Sequence, residues 1–224
     1  MKKYFNILCV CPLFRDIAPQ ELARALECLN ARISSLDKGE VVLNEGDPAN
    51  YVGIVLIGKL QIVRTDCFGN RSIIANLTPG ELFGESFACA GVKAVPVTVI
   101  AAETAEVMLI DCVKIIRSCS NACQFHQQMI FNLLQIVAAK NLVFHQKIEV
   151  TSKRTTREKL MTYLMLQAKQ QGSLEFEIPY DRQELADYLE VERSGLSVEI
   201  GKLRKQGMIE AVRRRFKICR SLDT

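Results

Sequence analysis

The sequence predicts an α+β protein: an N-terminal antiparallel β-roll (jelly roll), a long dimerisation helix and a C-terminal winged helix-turn-helix domain. Three observations carry this. Short runs rich in Val and Ile recur between residues 31 and 111, with turn residues between them. Residues 121–150 contain no Gly or Pro and repeat apolar side chains at helical spacing. Two capped amphipathic segments within 181–203 are followed by a hairpin pattern holding three consecutive arginines.

The chain has 224 residues, 49% of them hydrophobic, which is enough for more than one core. No stretch has the uncharged apolar length of a membrane span. The first ten residues lack the long apolar centre and small-residue cleavage site of a signal peptide. A cytoplasmic protein with no membrane contact is therefore expected. Nine cysteines, an odd number in a long chain, read as reduced thiols and not as a disulfide framework. Net charge is +4; residues 1–150 hold 14 basic and 14 acidic side chains, whereas residues 151–224 hold 15 and 11. The whole excess lies in the last third, which points to an anionic partner there.

Taken in order, Ile17, Leu22, Ala25, Leu26 and Leu29 predict a helix over 14–29, with Pro19 tolerated near its start. Strands are expected at 40–43, 52–57, 60–63, 72–77, 97–101 and 106–110, because Val and Ile favour pleated, half-buried positions. Glycines at 39, 46, 58, 69 and 80 and the pairs Asp47-Pro48, Gly69-Asn70 and Pro79-Gly80 supply the turns. This pattern is a roll occupying residues 1–120.

Residues 121–150 form the long helix. One stripe is Ile130, Leu134, Val137, Asn141, Phe144 and Ile148; the neighbouring one is Met129, Leu133, Ile136, Lys140, Val143 and Lys147. Two stripes need two coverings: the roll can take one, and the same helix of a second copy the other. Asn141 would then sit at a seam position. Burial of both stripes in one monomeric core is the competing reading.

The C-terminal domain spans 151–224. Thr151-Ser152-Lys153-Arg154 reads as a hinge, and Thr155 with Glu158 as a capping box opening a helix to about residue 170. Residues 174–179 alternate as a short strand. Asp181 and Glu184 cap the next helix, a turn follows at 191–193, and a second helix runs over 194–203. Leu185, Leu189, Leu196, Ile200 and Leu203 are its expected core. Residues 211–212 and 216–218 form a hairpin tipped by Arg213, Arg214 and Arg215. Such a unit can place its second helix in the major groove of double-stranded DNA. Arg193 suits a guanine edge, and Ser194 and Ser197 suit bases or phosphates. Arg182, Gln183, Lys202, Lys205 and the wing arginines suit backbone phosphates.

The chain resembles the Crp/Fnr family of bacterial regulators over nearly its whole length. Three blocks carry the resemblance: Lys38-Gly39-Glu40, Glu45-Gly46-Asp47 and Ile57-Gly58-Lys59; then Pro79 through Glu85 (Pro-Gly-Glu-Leu-Phe-Gly-Glu); then Arg182 through Leu189 with Arg193-Ser194. It implies a cyclic-nucleotide-binding-like sensor roll, a homodimer joined by the long helix, a palindromic operator and contact with RNA polymerase in an activator. It also implies a small-molecule effector pocket at Gly84, Glu85, Ser86, Phe87, Val95, Pro96 and Thr98, closed by the long helix around 133–140. In members that bind cyclic AMP, an Arg-Ser pair holds the cyclic phosphate. The matching positions here are Val95-Pro96; valine carries no charge and proline no backbone donor. Lys93 lacks the two-pronged geometry of arginine. Cyclic AMP is therefore not the expected effector. The spacing of Cys9, Cys11 and Cys28 does not match the family's iron–sulfur ligands, so no such cluster is expected.

Cys119, Cys123 and His126 share one helix face, but no fourth ligand accompanies them. They read as packed thiols and a packed histidine, with a metal or redox role as the alternative. The sequence shows no catalytic grouping and no phosphate loop, and has only two histidines, so no enzyme and no resident metal or cofactor are expected. The rival to a DNA regulator is a cyclic-nucleotide-type sensor that works through protein partners.

Overall fold

The structure, a computed structural model, describes residues 2–116 and 124–219. The chain divides into two compact units: Met1–Asn70 with Ile74–Leu142, and Arg71–Ile73 with Val143–Thr224. The first begins with a short helix α1 (Phe5–Val10) and helix α2 (Pro19–Cys28). The helix expected over 14–29 is thus shorter. Pro12–Phe14 is a 3-10 turn, and Asp16 takes φ +63°, which interrupts a right-handed helix.

Strands β1 (Arg32–Leu36), β2 (Val41–Leu43), β3 (Tyr51–Ile57), β4 (Leu60–Thr65), β5 (Arg71–Leu77) and β6 (Leu82–Phe83) follow. After the one-turn helix α3 (Glu85–Cys89) come β7 (Thr98–Ala101), β8 (Ala105–Asp111) and helix α4 (Cys112–Ile116). The strands form two antiparallel sheets, ordered β1-β8-β3-β6 and β2-β7-β4-β5. Leu36, Val55, Leu60, Leu77, Phe83, Val99 and Val107 fill the space between them. The other face of β3 and β8, with Val52, Ile54, Met108 and Ile110, packs on Leu8, Leu13, Leu22 and Leu29 from the N-terminal segment. Burial on both faces explains why β3 reads as one continuous apolar run. A Cβ on Gly53 would lie 2.0 Å from the Phe83 ring, so the strand approaches its neighbour closely there.

Helix α5 (Gln124–Thr151) is about 42 Å long at 1.5 Å per residue. Met129 and Leu133 enter the roll's second core, and Ile136 packs against it. Ile130, Leu134, Asn141, Phe144 and Ile148 face outward, while Val137 is half-buried. The inner stripe ends before Val143, which is exposed, and resumes at buried Lys147. Asn132 is buried and donates from Nδ2 to the carbonyls of Leu13 at 3.0 Å and Arg15 at 2.8 Å. It thereby holds the N-terminal segment to α5.

The second unit holds helix α6 (Thr156–Gln171), β9 (Glu175–Glu177), α7 (Arg182–Leu189), α8 (Arg193–Lys205), β10 (Ile209–Val212) and β11 (Arg215–Ile218). The α6 capping box is formed: Glu158 N donates to Thr155 Oγ1 at 3.1 Å and Thr155 N to Glu158 Oε2 at 3.0 Å. These bonds hold the Glu158 carboxyl below its ordinary value. The predicted strand at 174–179 is the short β9, which pairs with β11 and widens the hairpin to three strands.

Replacing Asn132 by Ala removes two donors and leaves the Leu13 and Arg15 carbonyls unpaired. Unfolding free energy should fall by about 2–3 kcal/mol. A denaturant titration showing less than half that loss would contradict this role.

Candidate nucleic-acid interface and effector pocket

Helix α7 begins at a second capping box: Glu184 N donates to Asp181 Oδ1 at 2.8 Å and Asp181 N to Glu184 Oε2 at 2.8 Å. It ends at Glu190, whose φ of +55° lets Val191 N reach the Ala186 carbonyl at 3.1 Å. Ala186 is fully buried, and its small side chain permits the tight crossing of α7 and α8. The turn is one residue earlier than the sequence indicated. Glu192 is the N-cap and Arg193 the first helical residue.

Leu196, Ile200 and Leu203 form the buried side of α8. At 100° per residue the opposite side carries Ser194, Val198, Gly201 and Lys205, with Ser197 and Lys202 at its margins, while Arg193, the first residue of the helix, flanks the buried side. Arg193, Ser194, Ser197, Lys202 and Lys205 are all exposed. Ser197 Oγ donates to the Arg193 carbonyl at 2.9 Å, so its remaining capacity is as an acceptor. Lys202 lies 3.4 Å from Glu199. Val198, 57% exposed, is a surface residue that reading the sequence by polarity missed. An apolar side chain there is suited to a thymine methyl group.

The wing turns at Arg213 and Arg214, with Arg213 at φ +53°, and Arg215 opens β11. Arg214 lies 3.8 Å from Glu184 and Arg215 3.9 Å from Glu177. A cleft of about 900 Å³ separates the wing residues 212–215 from Glu177, Asp181 and Arg182. Gln183 is exposed next to it and donates to Asp187 at 2.8 Å. Arg182 is the unusual group. Its Nη1 is buried with no hydrogen-bond partner, and its guanidinium stands 6.0 Å from the centre of the Phe216 ring. Burial, and secondarily the Arg193 charge, hold its pKa down. A guanidinium lining the cleft with one buried donor unused favours an anion beside it.

Behind this surface the rings of Tyr163, Tyr180 and Tyr188 cluster, with centroids 4.9 to 6.2 Å apart. Lys147, near the end of α5, stands 4.0 Å over the Tyr188 ring and donates to the Tyr188 carbonyl. The last turns of α5 are thereby fixed to α7.

In the first unit, Gly84 takes φ +78°, and a Cβ there would lie 2.9 Å from the Tyr51 carbonyl oxygen. Only glycine suits that position. Glu85 follows, 2% exposed, with Oε1 2.8 Å from Lys140 Nζ of α5 and 3.2 Å from Ser86 Oγ. Lys140 also donates to the Leu82 carbonyl. Glu85 Oε2 is buried without a partner. Phe87 and Thr98 are half-buried, and Thr98 Oγ1 accepts from Glu45 N at 3.3 Å. Val95 is buried, and both its backbone groups are used: its N donates to the Asp47 carbonyl and its carbonyl accepts from Gly46 N, each at 2.9 Å. Pro96 is exposed. Val95 is thus packed into the roll.

Cys119 and Cys123 lie outside the described residues. His126 is buried, stacked on Phe125 at 4.6 Å, with Nδ1 unpartnered. Cys9 is exposed, Cys28 half-buried and Cys11 buried, where burial pushes its thiol up to about 11. Among the described residues no three His, Cys, Asp or Glu side chains gather as a metal site, and no helix is long and apolar enough to cross a membrane.

Replacing Arg182 by Met should leave thermal stability unchanged or raise it, because a partly buried, incompletely bonded cation is removed. DNA affinity should fall similarly on all sequences, as expected of a phosphate contact. A large drop in melting temperature would assign Arg182 to the fold instead.

Comparison with known proteins agrees with this geometry. Residues 33–121 match the cyclic nucleotide-binding domain, and residues 158–221 match the Crp-like helix-turn-helix domain. The cyclic AMP receptor protein of Thermus thermophilus is 36% identical over 74 residues, a match spanning 33% of each chain. The transcriptional activator protein FnrA of Stutzerimonas stutzeri is 26% identical over 203 residues, 88% of this chain and 81% of that one. The structure of FixK2 from Bradyrhizobium japonicum superposes with a TM-score of 0.64 at 21% identity, over 85% of this chain and 93% of that one. A roll of this topology, a long helix and a winged helix-turn-helix in this order place the chain in the Crp/Fnr family of DNA-binding transcription regulators.

Proposed function

We propose that the protein regulates transcription as a homodimer on a palindromic operator, under the control of a small effector other than cyclic AMP. The observation that carries dimerisation is the outer stripe of α5. Leu134 is 66% exposed and Ile148 61%, and Ile130 and Phe144 belong to the same row at seam spacing. Such a row on a single chain is covered when a second copy of α5 packs against it. Asn141, exposed in the same row, fits a polar seam position that fixes register. Two copies related by a two-fold axis would offer two α8 helices to two half-sites, hence the palindrome.

Two details support an effector without a cyclic phosphate. Val95 brings no charge to the position where a phosphate would need one, and its backbone groups are already bonded. Glu85 Oε2 is a buried acceptor without a partner, among the residues proposed to line the pocket. It suits a ligand hydroxyl or amine donor.

Leu134→Glu should convert the protein to a monomer in light scattering and abolish tight binding to an operator selected from random DNA. A wild-type protein that is monomeric at micromolar concentration yet binds that operator tightly would overturn the dimer. Arg193→Ala should relax base preference at one half-site position by about 1–3 kcal/mol. Arg214→Ala should weaken all sequences alike and lower the salt slope by about one. Calorimetry with cyclic AMP should show no saturable heat. If no DNA sequence is enriched at all, a sensor acting through protein partners takes the place of this reading.

A further inference from the structure

The C-terminal end of α7 is completed by side chains from other segments. A helix leaves its last carbonyls without partners in its own turns. Glu190 N and Val191 N both serve the Ala186 carbonyl. The Tyr188 carbonyl accepts instead from Lys147 Nζ of α5, and the Glu190 carbonyl from Lys159 Nζ of α6 at 3.3 Å. Lys147 is 7% exposed, and its ammonium also donates to the Ile73 carbonyl at 3.2 Å. Ser72 and Ile73, near the start of β5, belong with the second unit.

Glu190 stands where glycine is the usual residue, with φ at +55°. A side chain kept at a left-handed position carries backbone strain, so the use made of it is informative. Its Oε1 accepts from Ser72 Oγ at 3.0 Å and lies 4.0 Å from Lys147 Nζ. The buried ammonium is thus matched by two carbonyls, a carboxylate and the Tyr188 ring. The negative end of the α7 dipole favours a cation at the same place.

Val191 and Glu192 are all that separate Glu190 from Arg193, the first residue of α8. Leu196, Ile200 and Leu203 set the rotation of α8, and the turn sets where its N-terminal end stands. Over the 13 residues of α8, a tilt of about 10° displaces one end against the other by about 3 Å. A hydrogen bond to a base edge does not survive a shift of that size.

We propose that Lys147 and Glu190 are positioning residues for base recognition: the α5 ammonium, held at the C-terminal end of α7, fixes the α7–α8 turn and so aims Arg193 at a base edge. This rests on the reading of α8 as the helix that enters the major groove. The effect passes through Arg193 and involves no contact of Lys147 with DNA.

The test uses the full-length protein, an operator selected from random DNA, and that operator changed at the base pair whose preference Arg193→Ala loses. Lys147→Met should lower discrimination between the two about tenfold, within the range of one two-pronged base contact. Its salt slope should stay unchanged, because Lys147 meets no phosphate. Lys147→Arg keeps the charge and should recover part of the discrimination. Glu190→Gly removes the carboxylate but relieves the left-handed backbone, so its melting temperature should hold or rise while discrimination falls. Added to Arg193→Ala, either change should lose no further discrimination. In the free protein, amide hydrogen exchange at residues 190–194 should quicken in both variants.

Lys147→Met and Glu190→Gly proteins that discriminate as the wild type does overturn the positioning role, as does unchanged exchange at the turn. A lowered salt slope in Lys147→Met assigns Lys147 to a phosphate and overturns it too. If Lys147→Met does not fold, Glu190→Gly decides alone. A wild type that enriches no sequence overturns the reading of α8 itself, an outcome distinct from variants that match a discriminating wild type.

Discussion

The constraint on which the first unit depends is the burial of one side of α5 against the roll. Met129 and Leu133 are committed to the roll, and Asn132 between them holds the N-terminal segment through two carbonyls. Fully burying one such leucine is worth about 1.5–3 kcal/mol, so this row fixes the rotation of the helix about its own axis. Once that rotation is fixed, Ile130, Leu134 and Phe144 are left exposed. Their exposure follows from the burial of the opposite row.

How much of this was legible depended on the range of the interaction concerned. The two capping boxes were readable because Thr155 meets Glu158, and Asp181 meets Glu184, within one turn of chain. The stripes of α5 were readable because periodicity over many residues averages out local exceptions. Val143 is the exception that periodicity could not flag. Helices α1, α3 and α4 were missed, since five or six residues cannot display a helical period. Strand β1 was missed because Ser34 and Ser35 dilute its apolar signal; its register against β8 holds it in place. The Crp/Fnr resemblance likewise placed Glu85 in a pocket, but no local pattern announces that Lys140, 55 positions later, closes on its carboxylate.

The candidate DNA-facing surface separates what residue type can say from what only geometry can. Arginine and lysine were legible there as cations, but not by the partners they keep. Arg214 and Arg215 each face a glutamate, which steadies the wing without neutralising it in high-dielectric surroundings. Arg182 has no such partner for Nη1 and is partly desolvated. Val198 carried no signal because an isolated apolar residue on a surface is ordinary. Its meaning comes from standing among Ser194, Gly201 and Lys205 on the face opposite the core.

Under the effector reading proposed above, the ion pair of Glu85 and Lys140 would set terms for any ligand that binds there. A ligand that takes the Glu85 carboxylate for itself must separate two charges already 2.8 Å apart, one of them almost wholly buried. Its apparent affinity is then its intrinsic affinity reduced by the fraction of molecules in which the pair is open. A ligand that leaves the pair intact and donates only to Glu85 Oε2 escapes that reduction. On that proposed reading the chain's own lysine is an internal competitor, which would discriminate against weak or merely shape-compatible molecules.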